Sequence, residues 1–142
     1  KYKSAVKTGN SISESTDDRM LHVLRIHCKK LRYLMEFFAS LFPPETISTL
    51  IDQLKRLQDN LGDFNDLRVQ EEYLLNVAKQ LPVSRGQTER ILLAIGSLVG
   101  ALAGDRKIVR NAFAKTFADF SAPSNRELFE NLFSAQRPLS DL

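Results

Sequence analysis

Apolar residues recur at helical spacing along most of the chain, and the first series of them follows a polar start. Thr16 is a candidate N-cap for this series, and Asp17 places negative charge in the first turn, where the helix dipole favours it. Pro43 ends the series, because a residue that precedes a proline is disfavoured in the α conformation. The pattern predicts a long helix over residues 17–42. Its apolar positions are Leu21, Leu24, Cys28, Leu31, Met35, Phe38 and Phe42.

A second apolar series predicts a helix over residues 45–81, with Pro44 well placed to begin it. Gly62 lies within this series and is a candidate position for a bend. The apolar positions are Ile47, Leu50, Ile51, Leu54, Leu57 and Leu61 before the glycine, then Leu67, Val69, Leu74, Leu75, Val77 and Leu81 after it.

Two candidate capping boxes mark the remaining helices. Ser84, with Gln87 three residues later, predicts the start of a third helix that continues to Phe120. Ser124, with Glu127 three residues later, predicts a short closing helix after a break in the chain. Each box is followed by apolar residues at helical spacing, as an amphipathic helix requires.

The four predicted helices occupy residues 17–142 and are joined by short connections, which favours an all-α, antiparallel four-helix bundle. The chain has 6 glycines and 5 prolines among 142 residues, about 8% against a usual share of roughly 12%, so it lacks the turns of a many-stranded sheet. Residues 1–16 are polar and show no apolar period, and we interpret them as a linker or as the end of a preceding unit. Because the chain does not begin with Met, we expect it to be part of a longer protein.

Composition excludes several kinds of protein. Cys28 is the only cysteine, so there is no internal disulfide and no cysteine-based zinc site, and a reducing compartment fits. No apolar run approaches about 18 residues, and no apolar stretch follows the N-terminus as in a signal peptide. We therefore expect a soluble, cytoplasmic protein that does not bind membranes. The net charge of +3 is too small to identify a partner by itself.

No enzyme motif is present in the sequence. It lacks a glycine-rich phosphate loop, a GxSxG nucleophile turn, an HExxH metal site and an EF-hand loop. His22 and His27 are separated by about 140° around a helix, so they do not share a metal ion. We expect a protein that is not an enzyme and that has no cofactor and no metal.

Basic charge is concentrated in the first predicted helix. Five basic residues and no acid lie between Arg19 and Tyr33, where the chain average predicts about two. At 100° per residue, three of them fall with His22 and Tyr33 within an arc of about 100°, and the leucines are placed opposite. The array rises about 16 Å along the helix. We call its four members the basic row: His22, Arg25, Lys29 and Arg32.

Two interpretations of the basic row remain open at this point. Guanidinium groups bind phosphate oxygens through two hydrogen bonds, and lysine and imidazole add further contacts, so a polyanion is one partner. Alternatively, the row is an ordinary solvated helix face, paired with acids of the second helix such as Asp52, Asp59 or Asp66. Charged helix faces are common, so the spacing does not decide between the two.

Two stretches of the sequence together carry a family resemblance. Residues 22–33 read HVLRIHCKKLRY and are followed by Glu36-Phe37-Phe38, and residues 54–66 read LKRLQDNLGDFND. The first stretch resembles the signature helix in the C-terminal half of the CHAD family, the conserved histidine α-helical domains. The second is similar to the Leu-Lys-x-Leu-Gln-x-x-Leu-Gly-x-x-Asn-Asp stretch that follows that helix in the family.

The resemblance implies one half of a domain built from two pseudo-symmetric four-helix bundles, with a basic groove that binds inorganic polyphosphate without catalysis. It also implies a place at polyphosphate granules and a fused or neighbouring triphosphate tunnel enzyme. No stretch here matches the family's N-terminal half. His27 stands where the family often has arginine, and we interpret it as structural. The implied polyphosphate-binding residues are His22, Arg25, Lys29, Lys30, Arg32 and Lys55.

Three functions compete. The leading one is a non-catalytic binding module for polyphosphate, with a targeting or scaffold role. The alternative is a helical regulatory domain whose basic face docks an acidic protein. Nucleic acid binding is weaker, because single-strand binding uses exposed aromatic rings and most of the nine phenylalanines lie at core spacing. The sequence indicates no particular oligomeric state.

Overall fold

The computed structural model describes residues 1–82 and 86–134, which form five α-helices and one short 3-10 helix. The helices are α1, Tyr2–Asn10; α2, Arg19–Phe37; the 3-10 helix, Ala39–Leu41; α3, Pro44–Gln80; α4, Gln87–Phe120; and α5, Pro123–Ser134. Those two ranges contain no β-strand. The prediction of an all-α fold is confirmed, with five α-helices in place of the four predicted.

The additional helix is α1, and it corrects the interpretation of residues 1–16 as a linker. Ala5 and Gly9 are buried, and a Cβ atom at Gly9 would overlap the ring of Phe117 on α4. This helix packs through small residues, which contribute little to an apolar pattern, so the sequence did not reveal it. That these residues end a preceding unit stays a prediction.

The N-terminus of α2 is also different from the prediction. The N-cap position is Asp18, not Thr16. Thr16 Oγ1 instead accepts a hydrogen bond from the amide of Ser13 at 2.8 Å, and Asp17 Oδ1 accepts one from the amide of Arg19 at 2.8 Å. The side chains of Thr16 and Asp17 therefore accept hydrogen bonds from the amides of Ser13 in the turn and of Arg19 at the start of α2. At the other end, the 3-10 helix takes over the last residues before the prolines.

The two long helices agree closely with the predicted ranges. Helix α3 passes Gly62 without interruption, and α4 reaches Phe120 as predicted. The predicted cap Ser84 lies outside the described residues. The capping box at Ser124 is wrong, because α5 already begins at Pro123, whose fixed φ suits the first position of a helix.

The core is formed where α1, α2, α3, α4 and α5 meet. Helix α3 packs against α2, α4 and α5, and α1 packs against α2. The predicted apolar series on α2 is buried from Leu21 to Met35. Burying each such leucine stabilises the fold by about 1.5–3 kcal/mol. The core residues are Ala5, Leu21, Leu24, Cys28, Leu31, Met35, Ile47, Leu50, Leu54, Leu57, Leu61, Phe64, Phe113, Phe117, Phe120, Phe129 and Leu132.

Helices α3 and α4 extend past this core as a pair that we call the outer hairpin, residues 65–80 and 87–108. In these two described stretches Ile95 is the only buried apolar residue. Tyr73 is 67% exposed and Leu93 is 75% exposed, although both belong to amphipathic helices. The outer hairpin thus has two helices where the rest of the molecule has five.

Candidate functional site

The basic row lies beside the core side of α2, not opposite it as the sequence suggested. Around the helix, Arg32 is only about 20° from the buried Leu21. Arg25 and Arg32 are accordingly half-buried, whereas His22 and Lys29 are exposed. The two guanidinium groups therefore flank the seam between α2 and its neighbour, and the other two members of the row extend from it into solvent.

Two hydrogen-bonding contacts show which sides of α2 and α3 remain open. Thr8 Oγ1 lies 3.3 Å from His27 Nδ1, which places α1 on one flank of α2. Asn60 Nδ2 donates to the Val109 carbonyl at 3.0 Å, which places α4 on one flank of α3. Because α2 and α3 are antiparallel neighbours joined by a short connection, their remaining flanks share one face of the molecule.

That shared face brings five of the six predicted residues to the same side. The free flank of α2 holds the basic row, and the free flank of α3 holds Lys55. Lys30 is different, because it lies about 80° beyond His22 on the outward side of α2. The contact between His27 and Thr8 supports the structural interpretation of that histidine.

Most of the predicted cations make no hydrogen bond or ion pair in the described part of the chain. Within residues 1–82 and 86–134, no hydrogen bond or ion pair involves the side chains of His22, Arg25, Lys29, Lys30 or Lys55. The acids named as alternative partners, Asp52, Asp59 and Asp66, make no ion pair with the basic row in the same ranges. These cations therefore remain available to an external anion.

Arg32 and Tyr33 form a small cluster at the end of the basic row. Arg32 Nε lies 3.5 Å from Glu36 Oε1, so the charges attract, but this nitrogen donates no hydrogen bond. Arg32 Cζ and Lys29 Nζ lie 5.6 and 5.7 Å from the centre of the Tyr33 ring, within cation–π range. The exposed ring of Tyr33 therefore interacts with both cations.

The seam between α2 and α3 contains two polar atoms without hydrogen-bond partners. They are Arg32 Nε and Gln58 Oε1, and both are buried. Leaving such a group unsatisfied costs about 1–3 kcal/mol, so each is a place where an additional partner would stabilise the protein. Gln58 therefore belongs to the seam rather than to the solvated surface. Asn65 donates to its neighbour Asp66 at 3.4 Å and does not reach the seam.

Two arginines of α4 have a structural role that the sequence did not reveal. Arg106 Nη1 lies 2.8 Å from Asp18 Oδ2, and Arg106 Nε lies 2.9 Å from Glu71 Oε2. Arg110 Nη2 donates to the Ser13 carbonyl at 2.7 Å. These two arginines connect α4 to the turn before α2. Their guanidinium groups already have protein partners, so they are not part of the candidate anion site.

Three further features bear on the kind of site: possible metal ligands, the cysteine thiol, and the length and apolar character of the helices. In the described part of the chain, no group of three His, Cys, Asp or Glu residues is placed to hold a metal ion. Burial raises the pKa of the Cys28 thiol to about 12, so this thiol is protonated at neutral pH. None of the described helices combines the length and apolar character needed to cross a membrane.

Comparison with known families supports the resemblance drawn from the sequence. The model of the CHAD domain matches residues 1–75, which include α1, α2 and most of α3. This chain belongs to the CHAD domain family. Members of the family are associated with polyphosphate binding and are generally binding modules rather than enzymes. The comparison with curated proteins gives no match.

The extent of the match concerns the segment first taken for a linker and the six predicted binding residues. It begins at residue 1, so the segment first taken for a linker lies within the family domain. It ends at Leu75, so α4 and α5 lie outside it. The matched part of the CHAD domain contains all six predicted binding residues.

Proposed function

We propose that this CHAD domain binds inorganic polyphosphate along the basic row of α2, as a non-catalytic targeting or scaffold module. The observation that carries the proposal is the run of cations on one side of α2, of which Arg32 alone makes an ion pair within the described residues, with Lys55 of α3 on the same face. If this face served only the stability of the fold, we would expect its cations to pair with the nearby acids of α3. In the described residues they make no ion pair with these acids.

The shape of the row favours a long anion over a compact one. Its members rise about 15 Å along α2, so a single phosphate group meets one or two of them, whereas a chain of phosphates meets all four. Each guanidinium group can donate two parallel hydrogen bonds to phosphate oxygens. Affinity for polyphosphate should therefore increase with chain length until the row is covered.

The unsatisfied atoms at the seam give independent support. A phosphate oxygen beside Arg32 would accept the hydrogen bond that its Nε does not make within the protein. The amide of Gln58 can turn its nitrogen toward the same seam, since the two ends of an amide are interchangeable by rotation. Both changes would remove a cost that the unbound protein carries.

The family resemblance also supports proposals about context. We propose that residues 1–142 form the C-terminal half of a two-bundle CHAD domain, with α1 as part of its helical bundle. The same resemblance supports a cytoplasmic location at polyphosphate granules, and a fused or neighbouring triphosphate tunnel enzyme as a partner.

The test is calorimetric titration with polyphosphates of increasing length, orthophosphate and ATP, at two salt concentrations. The variant is Arg25→Ala with Arg32→Ala, and the matched control is Lys79→Ala with Arg90→Ala, which removes two exposed cations from the outer hairpin. We expect the α2 variant to lose roughly 100-fold or more in affinity for long polyphosphate, since each charged hydrogen bond contributes about 1.5–3 kcal/mol. It should also reduce the salt dependence by about two released counterions.

The control should bind polyphosphate like the wild type. Equal losses in both variants would show that only net charge matters. Equal competition by single-stranded DNA would show that the row does not distinguish polyphosphate from other polyanions. If the α2 variant binds as well as the wild type, the proposal is wrong, and docking of an acidic protein becomes the better account of this face.

A further inference from the structure

A large apolar groove lies on the opposite side of α2 from the basic row. Its volume is about 1160 Å³, and α1, the end of α2 and α5 surround it. Three residues of α2 and its C-cap residue Phe38 form its floor at the helical spacing i, i+3, i+4 and i+7, and Phe42 and residues of α5 complete it. The floor residues are Leu31, Leu34, Met35, Phe38, Phe42, Phe129 and Phe133.

The rim of the apolar groove is basic. Lys3, Lys7 and Asn10 line it from one stripe of α1, and Arg126 lines it from α5. Glu130 is the only acid among the described lining residues, and its carboxylate lies 3.0 Å from Arg126 Nε. Lys3 and Lys7 make no ion pair within the described ranges. The edge formed by α1 therefore attracts negative charge beside an apolar surface.

Several floor residues remain exposed to solvent. Leu34 and Phe38 are each 42% exposed, and Phe133 is 49% exposed. The hydroxyl of Tyr2, which also lines the groove, is buried without a hydrogen-bond partner. An occupant would remove this apolar area from water, which favours binding.

The size of the groove points to a helix rather than a small molecule. Pockets for small ligands commonly measure about 300–1,000 Å³, and this groove is larger. An α-helix about 10 Å wide and about three turns long fills roughly the same volume. A helix that binds in a groove presents apolar side chains at i, i+3, i+4 and i+7. The floor residues from Leu31 to Phe38 have the same spacing.

We propose that the apolar groove binds an amphipathic α-helix of a partner protein, with its apolar face on the floor and acidic side chains against Lys3 and Lys7. This site is separate from the basic row, because Leu34 and Arg32 lie about 160° apart around α2. The domain would then hold a protein on one side of α2 and a polyanion on the other.

The test uses a fluorescein-labelled probe peptide of about 14 residues, with leucines at i, i+3, i+4 and i+7 and glutamates elsewhere. A matched peptide carries lysine at every glutamate position. We expect fluorescence anisotropy to show at least tenfold tighter binding of the acidic peptide to the wild type. Leu34→Asp should weaken this binding tenfold or more, while circular dichroism checks that the variant remains helical.

Charge reversal distinguishes specific docking from general attraction. Lys3→Glu with Lys7→Glu should invert the preference, so that the lysine peptide binds more tightly, which an unfolded protein would not do. Lys79→Glu with Lys115→Glu makes the same change of charge away from the groove and should keep the wild-type preference. Arg25→Ala with Arg32→Ala should bind the acidic peptide like the wild type.

Three results would overturn the proposal. The first is equal binding of the acidic and lysine peptides to the wild type. The second is loss of preference in the Lys79 and Lys115 control as large as in the α1 variant. The third is displacement of the peptide by sodium oleate at lower concentration than by unlabelled peptide, which would identify the groove as a site for anionic amphiphiles.

Discussion

The two halves of α3 show how the same helical pattern gives opposite results in different surroundings. In the first half, Leu50, Leu54 and Leu57 are fully buried, because α3 packs there against α2 as well as α4. In the outer hairpin, Val69 and Tyr73 remain exposed. An amphipathic pattern therefore predicts which side of a helix is apolar, but the number of neighbouring helices decides whether that side is buried. We call the five-helix part, residues 1–64 and 109–134, the inner bundle.

The sharpest contrast between inner bundle and outer hairpin should come from removing a leucine from each. Leu24→Ala should lower the free energy of unfolding by about 3–5 kcal/mol, because the residue is fully buried and leaves a cavity. Leu93→Ala should change it by less than about 0.5 kcal/mol, since that side chain is 75% exposed. Urea denaturation followed by circular dichroism measures both. Similar losses would mean that the outer hairpin is covered in solution.

Glycine substitutions should differ in sign between the two regions. Gly9→Ala should destabilise the protein by about 1–3 kcal/mol, because its Cβ atom would overlap the ring of Phe117. Gly100→Ala should stabilise it by about 1 kcal/mol, because no atom within 4 Å opposes the methyl group and alanine favours the helix. Thermal melts of both variants are sufficient. A stabilised Gly9→Ala protein would contradict the packing of α1 against α4.

Arg106 joins the inner bundle to the outer hairpin, and its removal tests that joint. Arg106→Met should cost about 1–2 kcal/mol of unfolding free energy, because it leaves the carboxylate of Glu71, 18% exposed, without its partner. Arg90→Met, at an exposed position of the outer hairpin, is the control and should have little effect. Urea denaturation at low and high salt should show a smaller loss at high salt. Equal effects of the two substitutions would remove Arg106 from its structural role.

Thiol chemistry should separate the regions with the smallest effect on stability. Cys28 in the native inner bundle should not react with a thiol reagent at pH 8, because burial raises its pKa to about 12, whereas Leu93→Cys in a Cys28→Ala background should react like a free thiol. The unfolded thiol ionises near pH 8.5, so its share of the stability is complete below that value and decreases as the pH rises toward 12. The difference in unfolding free energy between wild type and Cys28→Ala should show this decrease. A constant difference would contradict the raised pKa.

The sequence predicted α2 better than α1 and the contacts between distant residues, for physical reasons that differ by residue. Leu21, Leu24 and Leu31 were predicted on the apolar face of a helix and are buried, because the spacing of apolar residues identifies one face of a helix. Helix α1 was missed because Gly9 packs through the absence of a side chain. The pairing of Arg106 with Asp18 joins residues 88 positions apart, and local spacing carries no information about such a contact.

The candidate site shows the same division. The basic row follows from residue spacing on one helix, and its members keep that order in the structure. Its position beside the core face of α2 was missed although the same spacing gives it, since Arg32 lies about 20° from Leu21. Which neighbour the row faces was not predictable, because that depends on where α1 and α4 pack against α2 and α3. The unsatisfied Arg32 Nε and Gln58 Oε1 likewise exist only once the two helices meet.

The central claim is that polyphosphate binds along the basic row, and mapping by NMR tests it most directly. Backbone amide shifts of the isotopically labelled protein are recorded as long-chain polyphosphate is added. The account predicts that the largest changes follow residues 22–32 of α2 and the region of Lys55 on α3, while the amides of the outer hairpin hardly move. Changes concentrated on the outer hairpin, or on α1 and α5 around the apolar groove, would contradict it.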